Sequence, residues 1–127
     1  MRIALDTNGY RKFLEGDQEV VMKIRTSSEI GLPVPVVAEL RYGFLKGNRR
    51  SENEALFERF LDSPRVQIIP CDERTALQFA QLKLQLCRQG TPIPIQDVWI
   101  ASVALQHGLS LLTFDSDFDQ IPQLSRA

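Results

Sequence analysis

The chain is poor in the residues that most often carry catalysis or clip a fold together. Among 127 residues there are one histidine and two cysteines. Cys71 and Cys87 make no disulfide framework, and with a single histidine they make no Cys/His zinc site. A reduced, cytoplasmic protein is the expectation. No stretch approaches the ~18 apolar residues of a membrane span. The opening apolar run meets Asp6 too early to be a signal peptide. There is no GxGxxG, no GxxxxGK[ST] and no GxSxG, so dinucleotide, P-loop and serine-hydrolase sites have no support. His107 precedes Gly108 at a helix end, where a cation suits the helix dipole. Cleavage of RNA by two histidines is impossible within one chain. Charge of one sign is also lacking: 15 Lys+Arg against 16 Asp+Glu leave a net charge of -1. Nucleic acid would therefore have to be held by a local basic patch.

What is present is an ordinary globular composition, 43% apolar and 24% charged. A chain of this length forms one domain, residues 1–127, burying roughly two thirds of its unfolded surface. Short apolar runs alternate with amphipathic stretches. Arg2–Leu5, Leu32–Val34, Val66–Ile69 and Leu109–Thr113 read as strands. The prolines at 33 and 35 argue for extended chain there. Helices are expected over 8–14, 17–28, 36–46, 51–61, 73–88 and 97–107. Val36, Leu40 and Phe44 mark one buried stripe. Ser51 and Glu54 read as a capping box. Leu77, Ala80, Leu84 and Cys87 share a register that reads as another buried stripe, with Cys87 a core thiol. Strands joined through helices imply a mainly parallel sheet with helices on both faces, a single three-layer α/β domain.

With histidine and cysteine chemistry excluded, catalysis falls to carboxylates. In an open α/β sheet, sites form beyond the carboxyl ends of the strands. Asp6 ends the first strand, and Asp115 follows the last. Glu39 sits in the first turns of a helix after a strand. Asp97 opens a helix after a rigid Pro-Ile-Pro connector. Each also has a plainer reading. Asp6 and Asp115 suit turns, Asp97 suits an N-cap, and Glu39 suits a solvated helix face. Taken together, clustered acids repel unless a cation sits among them. All-oxygen ligation selects Mg²⁺ or Mn²⁺. The matching chemistry is hydrolysis of a phosphodiester by an ion-activated water.

Four segments carry a family resemblance. They are Ile3-Ala4-Leu5-Asp6-Thr7-Asn8, Val36-Val37-Ala38-Glu39-Leu40-Arg41-Tyr42-Gly43, Pro94-Ile95-Gln96-Asp97-Val98-Trp99-Ile100-Ala101, and Leu111-Leu112-Thr113-Phe114-Asp115-Ser116-Asp117-Phe118. In this order the chain resembles the PIN-domain ribonucleases, above all the VapC-type toxins of toxin–antitoxin pairs. The resemblance implies a PIN-like parallel sheet, Mg²⁺ or Mn²⁺, and RNA as substrate. It also implies a homodimer and a neutralising VapB-like antitoxin. Asp6, Glu39, Asp97 and Asp115 would hold metal and catalyse. Thr7, Asn8 and Thr113 would bond around the metal or the substrate, with a helix cap the alternative for Asn8. Asp117 competes with Asp115 to complete the site. Gln96 stands where relatives often have Asn, and the chain stops where relatives often add a terminal strand. A catalytically silent PIN-like module that binds RNA or protein is the alternative reading. A haloacid-dehalogenase-type phosphatase wants a second Asp where Asn8 stands.

Phosphate contacts would fall to Arg11, Lys12, Arg41, Lys46, Arg49 and Arg50. Trp99 reads as packing. The resemblance also implies an antitoxin tail that lies along an apolar groove and sends an arginine toward the acids, where it would pair with them. Tyr42, Phe44, Leu45, Leu56 and Phe57 are candidates to line that groove, or to belong to the core or a dimer contact.

Overall fold

The computed structural model describes all 127 residues. Four strands form one parallel sheet in the order β3-β2-β1-β4. They are β1 (Arg2–Leu5), β2 (Glu29–Pro33), β3 (Val66–Ile69) and β4 (Ser110–Leu112). The helices are α1 (Thr7–Leu14), α2 (Gln18–Thr26), α3 (Val34–Lys46), α4 (Arg50–Leu61), α5 (Glu73–Gln89) and α6 (Ile95–His107). A short 3-10 turn spans Ser116–Gln120. The path β1 to β2 to β3 runs one way across the sheet, and β3 to β4 runs back. Right-handed crossovers therefore put α1–α4 on one face and α5–α6 on the other.

The order reverses between β1 and β4. That switch point opens a crevice at the carboxyl ends of those two strands. β1 is central, and Ile3, Ala4 and Leu5 are fully buried. α6 feeds directly through Gly108 into β4, so it runs antiparallel to the strands and begins at the same carboxyl rim. Gly108 takes the left-handed conformation (φ 64°) that lets the helix turn sharply into the strand.

Several sequence expectations are corrected. Val34 and Pro35 are helical, because the first turn of α3 needs no donor from Pro35. α4 has Arg49 at its N-cap and no side-chain cap, so the Ser51–Glu54 box does not form. The capping box lies instead at Asp72 and Thr75, at the start of α5. β3 is an edge strand with Ile68 exposed, not a buried one. The register containing Cys87 is exposed: Leu77, Leu84 and the Cys87 thiol all face solvent. α5 packs through Thr75, Leu82 and Leu86, on its opposite side. The last residues do close the sheet. Arg126 bridges Leu111 in parallel, through the Leu111 N–H to Ser125 and the Ala127 N–H to Leu111.

Candidate active site

Asp6 follows β1 and caps α1. Its Oδ1 accepts from the Gly9 N–H at 2.7 Å, and the residue is only 5% exposed. Its Oδ2 accepts from the Thr113 hydroxyl, just past β4. Thr113 Oγ1 in turn accepts the Asp115 N–H at 3.1 Å, and Asp115 Oδ1 accepts the Asp117 N–H at 2.9 Å. One hydrogen-bonded chain thus spans the switch point from Asp6 to Asp117. Asn8 is exposed in the first turn of α1 and is not its cap. Thr7 Oγ1 is buried and makes no hydrogen bond.

Asp97 is the third residue of α6, since Pro94 takes the cap position. Its carboxylate is therefore free to turn into the crevice. Ligand oxygens of Asp97, Asp115 and Asp117 lie within 4.8 Å of one another. Both aspartates of the Asp115/Asp117 pair accordingly sit in the cluster. Burial pushes Asp97 up to about 6, and the charges of Asp115, Asp117, Glu39 and Asp6 add to the rise. Asp6 is also raised, first by burial. The Thr113 and Gly9 hydrogen bonds work against that rise, and Asp115 and Glu39 reinforce it. The charges of Asp115, Asp117, Glu39 and Asp6 thus converge on Asp97 across a single rim. Glu39 adds its charge against Asp6 and Asp97 but lies outside the tight trio.

Two residues support the site through contacts that the sequence did not show. A Cβ at Gly9 would lie 2.9 Å from the Leu112 carbonyl and 3.2 Å from Asp6 Oδ1. Only glycine lets α1 start this close to β4. The signal was there, a glycine inside a helical stretch. Gln96 donates its Nε2 to the Pro35 carbonyl at 2.8 Å, tying the start of α6 to the start of α3.

The basic residues divide. Arg11 and Lys46 line a cavity of about 440 Å³ together with Glu39 and Tyr42. Lys12 lies over the Phe114 ring at 4.7 Å. Arg49 and Arg50 are exposed at the α3–α4 turn. Arg41 instead pairs with Glu54 and Glu58 and lies over Phe57. Trp99 stacks on Phe79 with centroids 4.1 Å apart.

The residues offered for an apolar groove also divide. Phe44 and Phe57 belong to the core, whereas Tyr42, Leu45 and Leu56 are exposed. A cleft of about 360 Å³ opens beside Leu56, floored by Phe13, Ile24, Phe60 and Val66 and rimmed by Arg25 and Arg59.

Sheet, switch point and acidic rim together define a class: parallel α/β domains with a carboxylate centre at the carboxyl ends of the strands. Residues 3–124 match the PIN domain, and the chain belongs to that family. The chain is 33% identical over 92 residues to ribonuclease VapC5 of Mycobacterium tuberculosis, covering 70% of this chain and 66% of that one. Its fold superposes on DNA-bound VapBC from Salmonella typhimurium with a TM-score of 0.88. That match has 25% identity and covers 100% of this chain and 97% of the other. VapBC-5 of M. tuberculosis, from a family of toxin–antitoxin systems, matches with a TM-score of 0.77 at 27% identity, covering 99% and 98%. PIN-domain nucleases use divalent metals, and the acidic cluster here is of the kind that holds one. No helix is long and apolar enough to cross a membrane.

Proposed function

We propose that the chain is an endoribonuclease toxin that cleaves RNA with Mg²⁺ or Mn²⁺, acts in the cytoplasm as a homodimer, and is held in check by a cognate antitoxin. The observation that carries this reading is the carboxylate rim. Asp97 is pushed up to about 6 among four other acids, a repulsion that a divalent cation relieves. The donor set fits such an ion. It is all oxygen, and three carboxylates bring ligand atoms within 4.8 Å of one another, which suits a small hard cation. Asp97, Asp115, Asp117 and Asp6 would hold it, with Glu39 at its flank. When bound, the ion supplies Lewis-acid stabilisation of the scissile phosphodiester and an acidified water.

The chain's own residues do the rest. Thr113 and Gly9 fix both oxygens of Asp6, so that carboxylate presents one orientation. Asp97 stands ionised at neutral pH, above its value of about 6. Arg11 and Lys46, in the cavity that Glu39 also lines, would take the phosphates flanking the scissile one. Lys12, Arg49 and Arg50 extend that track. Arg41 is committed to Glu54 and Glu58 and is left out of it. The apolar cleft rimmed by Arg25 and Arg59 suits an amphipathic antitoxin segment. It shares Leu14 with a small cavity beside Tyr10 and Arg11, which in turn shares Arg11 and Gly43 with the cavity lined by Glu39. A tail following that route would reach the acids.

The test is cleavage of mixed cellular RNA by antitoxin-free protein with Mg²⁺ or Mn²⁺. Discrete cuts, lost with EDTA and in Asp97→Asn, are expected. No cuts from folded protein would favour a silent RNA- or protein-binding module.

A further inference from the structure

The chain buries or half-buries its aromatic rings, with two exceptions. Among one tryptophan, two tyrosines and seven phenylalanines, only Tyr42 (63% exposed) and Phe114 (46% exposed) stand out in solvent. A single exposed apolar side chain needs no explanation. These two share more than exposure. Each lies under a lysine: Lys46 Nζ is 5.8 Å from the Tyr42 ring centroid, and Lys12 Nζ is 4.7 Å from that of Phe114. Neither lysine pairs with a carboxylate within the chain. Arg41 over Phe57 is the contrasting case, a buried ring beneath a cation already held by Glu54 and Glu58. Each exposed ring also stands beside an acid of the rim. Tyr42 follows Glu39 by about one turn of α3, and both line the cavity of about 440 Å³ that Arg11 and Lys46 share. Phe114 lies between Thr113 and Asp115, where the Thr113 hydroxyl accepts the Asp115 N–H. Its lysine comes from α1, the helix that Asp6 caps.

We propose that Tyr42 and Phe114 are stacking platforms for two bases of the bound RNA, one on each side of the acidic rim. This rests on the nuclease reading given above and adds the residues that hold bases. The acids of the rim repel a phosphate backbone, so cations alone grip it poorly there. Stacking on a ring face is indifferent to that repulsion. A ring with an unpaired ammonium beside it suits both parts of one nucleotide, the base on the aromatic face and the phosphate on the lysine. In the free chain the ammonium covers the ring. Its flexible stem lets it swing to the phosphate as the base takes its place. The two pairs also stand on either side of Asp6. β1 lies between β2, which feeds α3 and Tyr42, and β4, which leads to Phe114. A strand crossing the rim therefore meets one ring before the acids and the other after them.

The test titrates full-length Asp97→Asn, free of antitoxin and in EDTA, with two labelled strands of equal length. One is an unstructured RNA, the other the same ribose–phosphate backbone without bases. Fluorescence anisotropy gives both affinities. The strand with bases should bind about 100-fold more tightly, about 10-fold for each ring. Adding Tyr42→Ala or Phe114→Ala should lower its affinity by about 10-fold and leave that of the abasic strand unchanged. Tyr42→Phe and Phe114→Tyr keep an aromatic face and should bind as Asp97→Asn does. The salt slope should not move in any variant, because the lysines stay, and the Tm should hold because both rings are exposed. Equal affinity for the two strands overturns the proposal. So does an alanine variant that weakens both strands alike, or a base preference lost with only one of the two rings. Alanine variants that keep the base preference but no longer bind a co-expressed cognate antitoxin would give the rings to the antitoxin and overturn it too. Cleavage is scored separately on the wild-type chain with Mg²⁺ or Mn²⁺. Cuts without a base preference leave the nuclease and remove the platforms. A base preference without cuts leaves the platforms and removes the nuclease.

Discussion

Asp97 is the acid whose ionisation meets most resistance. It lies in the first turn of α6, where the helix dipole favours an anion, yet burial and four neighbouring carboxylates hold it at about 6. The linkage has a definite sign. The folded state binds this proton more tightly than the unfolded chain, whose value is 3.8. The contribution is fully stabilising below about pH 4 and is lost as pH rises through 6. Metal-free Asp97→Asn is therefore expected to be more stable than the parent at pH 7.5, and no more stable at pH 4.5. The gain is on the order of 1 kcal/mol, discounted for solvent screening of a partly exposed group. Thermal unfolding in EDTA at the two pH values measures it. A variant that is less stable at both would mean that Asp97 is structural. The acids were legible in the sequence through their placement, at strand ends and in first helical turns, not one by one. What was not legible was which side-chain oxygens face one another. Pro94 displaces Asp97 from the cap, and Thr113 bridges Asp6 to Asp115; both depend on how the rim closes in space.

Helices α3 and α6 each begin at a proline and have no side-chain cap. They carry Glu39 and Asp97. The Gln96–Pro35 hydrogen bond ties the two first turns together. Gln96→Glu keeps the size of the side chain but replaces its donor with a charged acceptor facing a carbonyl. It is expected to weaken Mn²⁺ binding by about 10-fold, as loss of an outer hydrogen bond does at other metal centres. Isothermal calorimetry gives the affinity, and the Tm should move little. Unchanged affinity would show that the tie does not position the acids. Periodicity marked α3 through Val36, Leu40 and Phe44, all of them buried, whereas α1 and α6 were read from the residues at their ends. It failed on α5, which has two apolar sides: pattern alone cannot say which of them faces the domain. It also missed the proline in the first turn of α3, where a missing N–H costs nothing.

At the scale of the molecule, the net charge of -1 hides a separation. Carboxylates gather at the switch point, while Arg11, Lys12, Lys46, Arg49 and Arg50 stand on α1, at the end of α3 and at the α3–α4 turn. Such a field holds a polyanion only where the cations lie, and counterion release from the strand makes that grip salt-dependent. Binding of a single-stranded RNA to Asp97→Asn, followed by fluorescence anisotropy in EDTA, separates grip from cleavage. Log affinity should fall with log salt by about 0.7 for each phosphate neutralised. Reversing both Arg49 and Arg50 to Glu should weaken binding alike for unrelated sequences and make that slope shallower by about 1.4. An unchanged slope would place the RNA elsewhere on the surface. A loss confined to one sequence would make the two arginines readers of bases rather than holders of the backbone.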